Sequence, residues 1–111
     1  MIPEYDIHRA GMRVDDALAE LERIISDARF SGPPLFAVVT GHGSRGGTSR
    51  IREAVLAACR RYRAQNHIRG FLAGEFAADV CSPAHDAFPD AWAIPARYKR
   101  SPNPGVVFIC V

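Results

Sequence analysis

The chain has 111 residues, of which 48% are hydrophobic and 23% are charged. This composition is typical of one globular domain spanning residues 1–111 and argues against disordered and fibrous classes. No apolar stretch approaches the roughly 20 residues that cross a bilayer, and the N-terminus lacks signal-peptide features, so we expect no membrane partner. Cys59, Cys81 and Cys110 form no CxxC pair, which favours a cytoplasmic location and argues against a disulfide framework or a zinc knuckle.

The net charge of +2 hides an uneven distribution. Residues 1–32 carry four arginines and seven acids, whereas residues 45–69 carry seven arginines and the single acid Glu53. Such a basic block is a candidate footprint for a polyanion. The alternative is a solvated helix face without a ligand.

Hydrophobic periodicity predicts six elements in the order βαβαββ. Strands are expected at residues 5–8, 35–39, 68–72 and 106–111, and helices at residues 14–30 and 48–65. A parallel βαβ start places helices against a sheet, which predicts an α/β fold: a two-layer sandwich with a small mixed four-stranded sheet and two main helices.

Residues 73–105 show no sustained periodicity and contain five prolines. We expect an extended, partly ordered loop excursion, packed by Phe76, Phe88, Trp92 and Ile94. Trp92 and Tyr98, with basic residues near them, could stack on bases. More often, such aromatic side chains hold a loop in place.

The segment between the second predicted strand and the second helix is rich in glycine. Four glycines in eight positions allow a tight turn and a close approach to a ligand, and the amides that lead into a helix form an anion site. The alternative is a turn without a ligand. Gly47 stands where a nucleotide P-loop has lysine, which argues against an NTPase. The candidate phosphate-binding residues are Thr40, Gly41, His42, Gly43, Ser44, Arg45, Gly46 and Gly47.

Asp6 and His8 are candidate catalytic residues because they lie on the same side of the first predicted strand. Asp6 could orient His8 or hold a divalent cation such as Mg²⁺ or Mn²⁺, and His8 could act as a general acid or base. In a βαβ unit the carboxyl ends of neighbouring parallel strands meet at one edge. We therefore expect His8 and the glycine-rich loop to share one site.

Arginines extend the candidate site into the second helix. Arg45, Arg50 and Arg52 lie in or just after the loop, where guanidinium groups can hold phosphate oxygens. The more distal arginines of residues 60–63 lie roughly 15 Å further along and could contact only an extended polymer. A solvated helix end is an equally good interpretation of those distal residues.

Three sequence blocks together resemble the Smr (small MutS-related) domain family. They are YDIH at residues 5–8 with GMRVDDAL at 11–18, VVTGHGS at 38–44 with GG at 46–47 and IREAV at 51–55, and GVVFI at 105–109. The chain departs from the family's pattern because Arg9 and Ala10 intervene between His8 and Gly11, where members commonly have glycine directly after the histidine.

The resemblance implies a fold similar to the C-terminal domain of translation initiation factor three, with DNA or RNA as partner. It also implies an endonuclease that cleaves or nicks phosphodiester bonds. One alternative is a nucleic-acid-binding module without catalysis, in which the altered turn after His8 has removed the chemistry. Another is a site for small phosphorylated metabolites. If RNA is the substrate, its 2′-hydroxyl could be the nucleophile and no metal would be required.

Overall fold

The computed structural model describes residues 2–7, 13–41, 50–77, 88, 93–100 and 105–111. It contains four strands, β1 (Glu4–Asp6), β2 (Leu35–Val39), β3 (Gly70–Ala73) and β4 (Val106–Cys110). Helices α1 (Val14–Ser31) and α2 (Arg50–Ala64) are the two main helices, and α3 (Ala96–Arg100) is a single short turn before β4. A 3-10 turn (Gly74–Phe76) directly follows β3. The predicted element order is thus confirmed.

The sheet is mixed, with the strand order β1-β2-β4-β3. β1 and β2 are parallel, as a βαβ crossover requires, and β4 runs antiparallel to both of its neighbours. β1, β2 and β3 therefore all point the same way. Their carboxyl ends and the start of β4 lie at one end of the sheet.

The two main helices cover one face of this sheet. α1 buries the row of apolar side chains that its periodicity predicts, and α2 buries a second row of apolar side chains beside it. Phe36 and Val38 of β2 and Val107 and Ile109 of β4 point into this core. Alternate strand residues contact the helices because successive side chains point to opposite faces. The two-layer α/β prediction is confirmed.

The opposite face of the sheet is also covered, by parts of the 73–105 excursion. Phe88, Ile94 and Tyr98 are buried there against the other face of β2 and β4. Phe88 and Ile94 pack as predicted and Phe76 is partly buried, whereas Trp92 lies outside the described residues. The described part of the excursion therefore supplies a second core.

Tyr98 holds α3 in place, so it is not available for stacking on bases. Its ring packs edge-on against Phe108 at 4.9 Å, and its hydroxyl donates a hydrogen bond to the Glu4 carboxylate. Burial, and then this hydrogen bond, raise the pKa of Tyr98 above its ordinary value. The bond joins α3 to the first strand of the sheet.

The third strand begins two residues later than predicted. α2 ends at Ala64, and Asn66 adopts a left-handed backbone with φ of 61°. The amide of His67 then donates to the carbonyl of Tyr62 at 2.8 Å, so the turn extends beyond the helix. Ile68 is buried in the core between the helices and the sheet, but it comes before Gly70, the first residue of β3.

Cys59 and Cys110 are buried, free thiols. Burial raises the pKa of Cys59 from 9.0 to about 12, which keeps this thiol protonated and unreactive. The cytoplasmic location inferred from the cysteines stays a prediction. None of the described helices is long and apolar enough to cross a membrane.

Candidate functional site

Four chain segments converge at what we call the loop end of the sheet, defined by Ile7, Thr40, Gly74 and Gly105. The amide of Ile7, just after β1, donates to the carbonyl of Val39 at 3.0 Å. The amide of Thr40, just after β2, donates to the carbonyl of Gly105 at 2.7 Å. The chain therefore leaves β1 and β2 side by side, next to the start of β4.

Thr40 anchors the first residue of the glycine-rich segment. Its side chain is fully buried, and its hydroxyl donates to the carbonyls of Gly41 and Gly105, each at 3.0 Å. Gly41 follows with φ of 72°, a left-handed conformation that a side chain disfavours. Thr40 is thus a structural anchor, and Gly41 adopts a backbone conformation that favours glycine.

The start of α2 is attached to the end of β3 by an ion pair. The Arg52 guanidinium contacts the carboxylate of Glu75, in the 3-10 turn that follows β3, and that of Glu53 at 3.3 Å. The Arg52 side chain is only 17% exposed, so the contact is partly shielded from water. This pair brings the first turn of α2 to the loop end of the sheet.

Sequence reasoning did not find Glu75. The residue lies 23 positions from Arg52, in a segment without periodicity, and no local pattern pairs the two. The nearest signal was its position three residues after the third predicted strand. Arg52, predicted to bind phosphate, is therefore already neutralised by carboxylates.

Two further described candidates, Asp6 and Arg50, also lie at the loop end. Asp6 is the last residue of β1, is exposed, and is paired in register with Val39. Arg50 is the first residue of α2 in the described structure and is exposed, and none of the described residues forms an ion pair with it. Arg50 is thus a better placed cation for an incoming anion than Arg52.

Most of the predicted loop lies outside the described residues, so its roles stay predictions. Among the residues that the structure does describe, no three His, Cys, Asp or Glu side chains are grouped to hold a metal ion. The metal-binding role of Asp6 likewise stays a prediction. The candidates outside the description are His8, His42, Gly43, Ser44, Arg45, Gly46 and Gly47.

Comparison with known protein families shows to which family the chain belongs. The sequence model of the Smr domain matches residues 5–78, which run from β1 through the 3-10 turn after β3. The chain belongs to the Smr domain family. The predicted resemblance is confirmed, and the matched range contains every described candidate residue. No curated protein matches the chain in sequence.

Solved structures of Smr domains share the fold. The Smr domain of Thermus thermophilus MutS2 aligns with a TM-score of 0.58 at 21% identity, covering 98% of this chain and 96% of that one. The human small-MutS related domain aligns with a TM-score of 0.50 at 24% identity, covering 96% and 98%. The SMR domain of NEDD4-binding protein 2 gives 0.50 at 23%, covering 99% and 85%. At these identities the likeness establishes the fold.

Proposed function

We propose that this Smr domain binds DNA or RNA at the loop end of its sheet and cleaves or nicks phosphodiester bonds there. The observation that carries the proposal is the convergence of the ends of β1, β2 and β3 with the first turn of α2. In open α/β sheets, ligands bind at such strand ends. An amide-rich loop before a helix favours a phosphate at that place.

The proposed roles follow the chemistry of the residues. Arg50 binds a phosphate oxygen, together with Arg45 and the loop amides, because a guanidinium fork matches phosphate geometry. His8 moves the proton, since an imidazole titrates near neutral pH. Asp6 orients His8 or holds Mg²⁺ or Mn²⁺, which would polarise the phosphate. Arg52, held by Glu75, positions the start of α2.

The rival function is nucleic-acid binding without cleavage. The observation that favours it is the pair of residues Arg9 and Ala10, which separates His8 from Gly11, whereas the family commonly has glycine directly after the histidine. Phosphate capture needs only the loop and the arginines. Both functions predict a steep dependence of binding on salt, because each phosphate contact releases counterions.

A cleavage assay separates the two functions. Purified protein is incubated with supercoiled plasmid and with structured RNA, in Mg²⁺, in Mn²⁺ and in chelator, and binding is measured on the same substrates. Cleavage by the wild-type domain supports the enzyme, and binding without cleavage under every condition supports the rival. Binding to mononucleotides without binding to polymers would contradict both and indicate a small-metabolite site.

A further inference from the structure

A groove runs along α2 beside β3, on the helix-covered face of the sheet. Its volume is about 370 Å³. One wall is a stripe of α2 at helical spacing, and the floor is formed by β3 and the 3-10 turn that follows it. The residues that line the groove include Arg52, Leu56, Arg60, Arg63, Phe71 and Phe76.

Charge is unevenly distributed along this groove. At the end near the start of α2, Arg52 is neutralised by Glu53 and Glu75. At the other end, Arg60 and Arg63 are exposed, and neither forms an ion pair with any residue in the described ranges. The groove thus carries two unneutralised guanidinium groups one helical turn apart, away from the loop end.

The floor of the groove is apolar and partly aromatic. Leu56 is buried, while Phe71 and Phe76 are only partly buried and pack at the margin of the core. Aromatic side chains that keep some exposure beside cations can stack on nucleobases, and such stacking tolerates any base. An acidic peptide would use the arginines but would gain little from the aromatic rings.

The length of the groove favours a polymer over a small ligand. Arg63 lies eleven positions after Arg52, roughly 16 Å along the helix at the helical rise. Neighbouring phosphates of one strand are separated by only about 3.4 Å along a duplex axis. A single phosphate on Arg60 and Arg63 therefore fills only one end of the groove, whereas a strand of several nucleotides can occupy its whole length.

We infer that this groove binds single-stranded nucleic acid, with phosphates on Arg60 and Arg63 and bases against Phe71 and Phe76. The inference rests on the proposed function for its ligand class, and it adds a second contact site beyond the loop end. A single strand is specified because paired and stacked bases cannot reach the rings on the floor.

The test measures binding of fluorescent single-stranded DNA and RNA of three and of fifteen nucleotides, over a range of salt. The double variant R60A/R63A should bind the 15-mers about tenfold more weakly at low salt, with a salt slope shallower by about 1.4, since each lost contact removes about 0.7 on a single strand. Binding of the trinucleotides should be unchanged, because they fit at the loop end alone.

The matched control is R61A/R100A, which removes the same charge from exposed residues outside the groove. It should leave the affinity for the 15-mers within about twofold of the wild type. The variant F71L, checked for an unchanged melting temperature, should weaken the 15-mers about tenfold through lost stacking.

Three results would overturn the inference. They are an equal loss of affinity in R60A/R63A and R61A/R100A, unchanged 15-mer affinity in F71L, and polyglutamate competing as well as nucleic acid. These results are independent of cleavage. If the R60A/R63A variant cuts nucleic acid normally and binds the 15-mers with unaltered affinity, the groove inference fails and the proposed function stands. If the wild type never cuts, but R60A/R63A binds the 15-mers more weakly as expected, the groove inference stands and the proposed cleavage fails.

Discussion

The amide and the hydroxyl of Thr40 both donate hydrogen bonds to the carbonyl oxygen of Gly105, at 2.7 and 3.0 Å. The two residues are 65 positions apart in sequence, and their contact joins the end of β2 to the start of β4. The first residue of the glycine-rich segment, Thr40, is therefore held at a buried point of the sheet. We expect this contact to position the phosphate that the glycine-rich segment is proposed to hold.

Removing the Thr40 hydroxyl should loosen that point. We expect T40V to lower the free energy of unfolding by about 1 kcal/mol, the net value of one buried hydrogen bond. The amide bond to Gly105 survives the substitution, so the fold should persist. Urea denaturation measures the loss, and affinity for a short oligonucleotide should fall in the same variant. Unchanged affinity together with the expected destabilisation would show that Thr40 does not position the ligand.

Gly41 should tolerate only residues that accept a left-handed backbone. G41A should cost about 1–2 kcal/mol of unfolding free energy, because its φ of 72° brings Cβ too close to the backbone. G41N should cost less, since asparagine visits this conformation more readily. Urea titrations of both variants check the order. Equal stability of G41A and the wild type would contradict a left-handed conformation at this position.

Arg50 and Arg52 should separate into a binding residue and a positioning residue. R50A should weaken nucleic-acid binding several-fold and make its salt slope shallower, with unfolding unchanged, because its exposed guanidinium holds no described partner. R52A should destabilise the domain by about 1 kcal/mol or less, as partly exposed ion pairs do. Fluorescence anisotropy and urea denaturation together give both readouts. The opposite assignment, with R52A weakening binding more than R50A, would contradict the account.

The contact between Tyr98 and Glu4 should support the second core. Y98F keeps the ring against Phe108 but loses the hydrogen bond to a carboxylate, which should cost about 1–2 kcal/mol. Thermal melting measures the loss, and E4Q provides the partner variant for a double-mutant cycle. Strict additivity of the two substitutions would show that the residues do not interact.

Alkaline conditions should destabilise the domain partly through Cys59. Its pKa is raised in the folded state, from 9.0 to about 12, so the protonated thiol favours folding below pH 9. That contribution is lost as pH rises from 9 towards 12, because the unfolded chain ionises first. Denaturant titrations at several pH values should show a smaller alkaline decline in C59A than in the wild type. An identical decline would assign the effect to other groups, such as the phenol of Tyr98, whose pKa is also raised.

The sequence predicted the elements well where hydrophobic periodicity is strong. The apolar run at residues 35–39 is bounded by prolines and by glycine, and β2 occupies the same residues. The apolar residues at helical spacing in α1 likewise predicted which face of this helix is buried. Five-residue α3 was missed, because one buried tyrosine in five residues produces no periodic signal.

The candidate site was predictable only in part. The carboxyl ends of two parallel neighbouring strands lie at the same end of a sheet. The sequence could therefore predict that the chain leaves β1 at Ile7 and β2 at Thr40 side by side. The contact of Arg52 with Glu75, and that of Tyr98 with Glu4 across 94 residues, depend on how distant segments dock. No local pattern encodes that docking, so the partners of the charged groups had to come from the structure.

The central claim is that the loop end of the sheet performs phosphodiester chemistry, and the comparison of H8A with the wild type tests it most directly. Cleavage of supercoiled plasmid and of structured RNA is followed in Mg²⁺, in Mn²⁺ and in chelator, with binding measured on the same samples. The account predicts cleavage by the wild type, loss of cleavage in H8A, and binding retained in both. A wild-type domain that binds but cuts neither substrate under any of these conditions, or an H8A variant that cuts at the wild-type rate, would contradict it.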